Sequence, residues 1–432
     1  MPLYLVQHDA QSLLTLRIVL RSGARDDGEF PGLADMTCDL LSTGAGERNA
    51  ITFARDVELF GADLGTAAGR DEIRLELGVL SRFFPSAVTL AADMVFRPRF
   101  APEETERERK LKLAIIKQNR SDPDWLAITT LRKLIYGPTP YGHPIDGDER
   151  SVRSITTKDC QTFHAATFVP DNGFFVLAGN MREKEAIQLL EEKFYGWPGS
   201  GFSLARSPLM PVRDRPRIVI VHRPGSAHNA IRIGRLGVAR GDADFTTLRL
   251  LNTLFGDYFN SRLNTLLRES MGYTYDAWSN MEGTLDPGLF AIGTSVRGDR
   301  VGKTIKAIFR ELDRIASEPV SLQELDIVKG YISGRQVLAS ETPEQIADMV
   351  TTIALHNLPH DYYSRTIEHI QSLTPEELLG VGSRYMRSDE MTIVVAGDAG
   401  ALQPQLEEFG KVEIVDSRLG CIRPRYLLSH HF

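Results

Sequence analysis

The 432-residue chain carries 50 basic and 57 acidic side chains, a net charge of −7, with 42% hydrophobic and 25% charged residues. That is the composition of a globular protein too long for one ordinary core; length alone suggests about three domain-sized units, and two larger ones serve equally well. The interleaved, net acidic charge excludes the basic footprint of a nucleic-acid binder, and no apolar run reaches the ~20 residues of a membrane-crossing helix.

Leu3 to Val6 reads as a short strand directly after Met1, without the charged and apolar stretches of a signal peptide. A cytoplasmic location is expected, or a periplasmic one if a leader has been removed. Leu16 to Asp26 is a second strand-like run, and Gly32 to Leu41 has the pattern of a helix. On that helix Asp35, Cys38 and Asp39 share one face, while Leu33, Met36, Leu40 and Leu41 point elsewhere. Two readings of the face are open: an altered metal site of two carboxylates and a thiolate, or a hydrogen-bonded polar face near a helix start, where acidic residues suit the dipole. The second is the simpler.

Arg107 to Gln118 and Ala243 to Phe255 are amphipathic helix-like stretches, and Pro198 to Pro216 has the Pro, Gly, Ser and Arg content of a linker. Other candidate ligands offer little. His356 and His360 have i,i+4 spacing, but Pro359 intervenes and no Glu accompanies them, so a loop is expected. His143 belongs to a turn, and His430 and His431 stand beside Phe432. Cys38, Cys160 and Cys421 are widely separated and odd in number, which favours reduced thiols over a disulfide framework or a zinc ribbon; no local Cys/His signature makes Cys38 a nucleophile.

The chain repeats itself. Ser154 to Asp159 and Val169 to Asn180 recur as Ser372 to Glu377 and Arg387 to Asp398, both pairs offset by 218 residues, and Leu16 to Asp26 matches Ile231 to Gly241 in pattern. Two homologous domains follow, 1–200 and 217–432, joined by a linker at 201–216. Strand-like runs alternating with long helices give each an α+β architecture, a mainly antiparallel sheet covered by helices.

The stretch Gly32-Leu33-Ala34-Asp35-Met36-Thr37-Cys38-Asp39 resembles the zinc-binding helix of the insulinase/pitrilysin family of inverted-motif metallopeptidases, which includes the mitochondrial processing peptidases. There it reads Gly-Leu-Ala-His-x-x-Glu-His, two His on zinc and a Glu activating water. The corresponding positions here are Asp35, Asp39 and Cys38. Aligned on Asp122-Pro123, the family's remaining zinc ligand, a Glu, falls near Ile115, and no carboxylate lies between Glu108 and Asp122. Resemblance is strongest over Asn252 to Tyr275, where the family has Ser-Arg-Leu opening a helix, then Leu-Arg-Glu, a Gly stop and a Tyr on the next strand. Ser261 is the expected N-cap, Gly272 the stop, Arg268 the last-turn arginine and Tyr275 the strand tyrosine.

What the resemblance implies is a chain forming one half of a clamshell, with no metal of its own. Arg268 and Tyr275 would contact the substrate backbone in the site of a homologous H-x-x-E-H partner, which would carry the zinc. The expected role is that of a non-catalytic, substrate-binding subunit of a heterodimeric zinc endopeptidase acting on peptides. A proteolytically inert structural or peptide-binding subunit, like the core proteins of respiratory complexes, is the alternative. The short Leu254 to Ser261 segment, with Gly256 alone, lacks the glycine-rich loop of mitochondrial substrate-binding subunits and points to a bacterial-type subunit.

Overall fold

The computed structural model describes residues 1–197, 199, 216–226 and 228–416; residues 201–215 of the expected linker, Cys421, His430 and His431 lie outside the described residues. The first sheet holds β1 (Leu3–Gln7), β2 (Leu13–Leu20), β3 (Asp63–Ala68), β4 (Ile73–Leu80) and β5 (Gly173–Gly179) in the order β1-β5-β2-β4-β3. Only the β1–β5 pairing is parallel. The second sheet holds β6 (Ile218–His222), β7 (His228–Leu236), β8 (Ala277–Met281), β9 (Leu289–Arg297), β10 (Thr392–Gly397) and β11 (Val412–Asp416) in the order β11-β6-β10-β7-β9-β8. Apart from the added β11, the two orders are the same.

The internal repeat is therefore structural down to its caps. Thr156 and Thr374 each open a helix with a reciprocal capping box, to Asp159 and Glu377 respectively, and the offset of 218 residues carries one box onto the other. In both copies the capped helix is followed by a strand, β5 or β10, that is buried along its whole length. The strand expected over Leu16 to Asp26 starts earlier and stops at Leu20, because Ala24–Asp26 winds into a tight helical turn.

Strands β2 and β5 bury residues of both alternations, so the centre of the sheet needs cover on both faces. Leu14, Leu16, Ile18 and Leu20 pack among Leu33, Met36, Leu40 and the residues of Phe84–Phe96. The opposite face, Val19, Phe174, Val176 and Ala178, is covered by Ala347, Ala354 and Leu355 of the helix Pro343–Leu355. In the second sheet Val219, Ala230, Ala291 and Val394 are covered by Leu126, Leu131 and Leu134 of the helix Pro123–Tyr136.

The covering helices are exchanged. Residues Gln118–Gly142, early in the chain, belong to the compact unit of the second sheet, and Gly334–Tyr362 belong to that of the first. The units thus depart from the contiguous blocks 1–200 and 217–432. Buried arginines mark the arrangement: Arg17 of β2, 1% exposed, pairs with Glu76 and with Asp348 of the incoming helix at 2.6 Å, and Arg232 of β7 pairs with Asp124 of the other incoming helix at 2.6 Å. No helix among the described residues is long and apolar enough to cross a membrane.

Candidate functional site

In the first unit, the helix Leu33–Leu41 begins at Gly32, whose φ of 95° and close approach to the backbone of Asp146 suit only glycine. Its first turn is held by a side chain from outside. Both oxygens of Asp27 accept backbone N–H bonds, from Gly32 at 2.7 Å and Ala34 at 2.8 Å. Burial nevertheless pushes the Asp27 carboxyl up to about 7, outweighing these bonds, and the nearby charges of Asp35 and Asp26 add to the shift.

One turn further, Asp35 and Asp39 share a cation: the Lys112 ammonium contacts Oδ2 of both carboxylates. Lys112 lies on the helix Pro102–Asn119, on the buried face it shares with Thr105, Glu108 and Ile116. Burial raises the Asp35 pKa and the ammonium opposes the rise; the Lys112 pKa is itself raised, the two aspartates overcoming its desolvation. Ile115 does not take part. It is 43% exposed, and the residue of this helix that faces Asp35 and Asp39 lies three positions earlier, so the alignment on Asp122-Pro123 is out of register with the packing. The helix offers a lysine where the family has a carboxylate, and the i,i+4 spacing of Glu108 and Lys112, which puts both on one face, is the sequence feature that marks it.

Cys38 is fully buried in the core, and desolvation followed by the charges of Asp35 and Asp39 pushes its thiol well up, so it offers neither a thiolate ligand nor a nucleophile. The donor set does not fit the zinc of the family: two carboxylates already engage an ammonium, the third position is a neutral thiol, and no group of three or more His, Cys, Asp or Glu among the described residues has metal-binding geometry. His143 is partly buried with its pKa lowered by desolvation, and Nδ1 stands 2.9 Å from the Pro144 carbonyl. His356 follows the end of the helix Pro343–Leu355 and His360 lies in the turn beyond, as a loop requires.

In the second unit, the helix Phe245–Asn252 widens into a π-type turn, Thr253–Asp257. After a short turn Ser261 caps the next helix, its Oγ accepting from the Asn264 N–H at 3.4 Å. One α-helical turn, Arg262–Asn264, runs into a second π-type turn, Thr265–Ser270, and Gly272 at φ 60° ends it. The segment is fastened at both sides. Arg262 makes a two-point ion pair with Glu324, at 2.9 and 3.1 Å, and Asn264 Oδ1 accepts the N–H of Ala277, which opens β8, at 3.2 Å.

Arg268 emerges in the last turn with its guanidinium 4.4 Å from the centroid of the exposed Phe259 ring. None of the ion pairs among the described residues engages it. Tyr275 is 96% exposed in a bend two residues before β8, not on the strand, because the chain does not join the sheet until Ala277. Tyr275 is thus presented to solvent, while Arg268, half-buried, lies against the Phe259 ring on the braced segment.

The model for insulinase, peptidase family M16, matches residues 4–149, and that for the M16 peptidase inactive domain matches residues 154–331. An uncharacterized zinc protease of Mycobacterium bovis is 26% identical over 88% of this chain and 87% of its own, and a non-peptidase homologue of Helicobacter pylori is 20% identical over 87% of each. A crystal structure of an M16 inactive domain from Pseudomonas fluorescens superposes with a TM-score of 0.86 at 26% identity, covering 92% of this chain and 95% of that one. With M16 models matching residues 4–149 and 154–331, the chain belongs to the insulinase-type M16 peptidase family.

Proposed function

We propose that this protein is the non-catalytic, substrate-binding subunit of a two-chain zinc endopeptidase, completing the site of a homologous subunit that carries H-x-x-E-H. The observation that supports the reading is an asymmetry between the two copies: the helix that resembles the family's zinc helix is closed by an Asp–Lys–Asp ion cluster, while the second copy carries a half-buried Arg268 over Phe259 and an exposed Tyr275. Hydrolysis by this family needs imidazoles on zinc and a carboxylate to activate water, and these belong to the partner. Arg268 and Tyr275 supply hydrogen-bond donors able to hold a peptide carbonyl and to stabilise the oxyanion formed from it. Substrates are peptides or unfolded segments, recognised through their backbone.

The test is hydrolysis of a quenched peptide by this protein, by an H-x-x-E-H homologue from the same genome, and by the two mixed. Activity that rises steeply only in the mixture, and that falls by about 10²-fold with Arg268→Ala, is the expected result. The name of the Helicobacter pylori relative, a non-peptidase homologue, favours a second reading, an inert structural or peptide-binding subunit. A partner fully active alone and indifferent to mixing would select that reading instead.

A further inference from the structure

The family places a divalent cation between two helices, and here the same two helices are still joined through a positive charge. Asp35 and Asp39, one turn apart on Leu33–Leu41, both direct Oδ2 at the Nζ of Lys112, whose side chain is 7% exposed. The helix Pro102–Asn119 delivers that ammonium on its buried face, so its position is fixed by packing as well as by charge. We infer that the Lys112 ammonium has taken over the structural role of the family's metal, tying the two helices together and closing the position to divalent cations.

The chemistry favours exclusion. An ammonium with three N–H donors satisfies two carboxylates at once, and a cation entering the position would have to displace it against like-charge repulsion. Cys38, between the two aspartates in sequence, turns into the core and offers no third ligand. A carboxylate pair left without its ammonium would face a partly desolvated, mutually repelling arrangement, so the lysine and the aspartates form a set that is removed together or not at all. This role is independent of whether a peptidase partner exists.

The experiment uses the full-length chain. After incubation with excess zinc and gel filtration, the wild-type protein is expected to retain far less than one equivalent by elemental analysis, with the same Tm in zinc and in EDTA. Lys112→Met is expected to lower the Tm by roughly 5 °C, and Asp35→Asn/Asp39→Asn/Lys112→Met to recover most of that loss, which a merely apolar role for the lysine stem would not produce. Stoichiometric zinc in the wild-type protein would overturn the inference. So would a Tm left unchanged by Lys112→Met. The wild-type metal measurement stands even if the single variant precipitates.

Discussion

Arg268 is held over Phe259 by an interaction between a cation and a ring face, one that at partly exposed sites is worth about 0.5–1 kcal/mol. Phe259→Ala should therefore lower the Tm of the protein by no more than about 2 °C and kcat/KM of the mixed peptidase by about 2–5-fold, read from initial rates at low substrate. A fall as deep as that of Arg268→Ala would mean that Phe259 itself meets the substrate. At Asp27 the measurable is a pH profile. Its folded pKa of about 7 lies above the ordinary carboxyl value of 3.8, so the folded protein holds a proton that the unfolded chain has lost. The resulting stability is fully present below pH ~4 and is lost as pH rises toward and through 7. Asp27→Asn cannot titrate, so the Tm difference, wild type minus variant, should shrink between pH 5 and pH 8; a difference that grows would show that the helix-capping carboxylate is preferred charged.

Among the elements, the two exchanged helices are the least ordinary. Each lays an apolar face on a sheet assembled largely from the other half of the sequence and adds one aspartate to a buried arginine, Asp348 to Arg17 and Asp124 to Arg232. Asp348 is itself 55% exposed, so the pair's direct attraction is modest; the cost of Arg17→Ala comes from the half-buried Glu76 left without its guanidinium and from the cavity. We expect about 2–4 kcal/mol from urea unfolding for Arg17→Ala and under 1 kcal/mol for Asp348→Ala. Equal effects would mean that the pair acts as a single buried unit. The helix Thr265–Ser270 is unusual in another way, since its π-type winding is stabilised locally, by the Ser270 hydroxyl on the Thr265 carbonyl at 2.9 Å and the Met271 N–H on Leu266 at 3.0 Å.

At the scale of the molecule, the α+β architecture and its duplication were legible in the sequence because capping boxes, strand patterns and the 218-residue offset are local features that repeat. So were Ser261 and Gly272, a cap and a stop whose chemistry lies within a few residues. The Lys112 contact was not, because it joins residues 77 positions apart and a helix face shows that something is buried but not what it meets. The exchange of helices was invisible for the same reason: the pattern of Pro123–Tyr136 says that one side packs, not on which sheet. It has a testable outcome. Cleavage at a protease site engineered between residues 200 and 215 should leave two fragments that co-elute in native gel filtration, whereas either fragment expressed alone should be insoluble or proteolysed.

The exchange also sets a clock for biosynthesis. The first sheet lacks one of its two covers until residues up to Leu355 have been made, more than 150 residues after β5 is complete. At about 5–20 residues per second, the apolar face of Val19, Phe174, Val176 and Ala178 stays bare on the ribosome for roughly 10–35 s. For that interval the nascent chain presents an apolar sheet face whose covering helix has not yet been made, and such faces are the ones that aggregate when left bare.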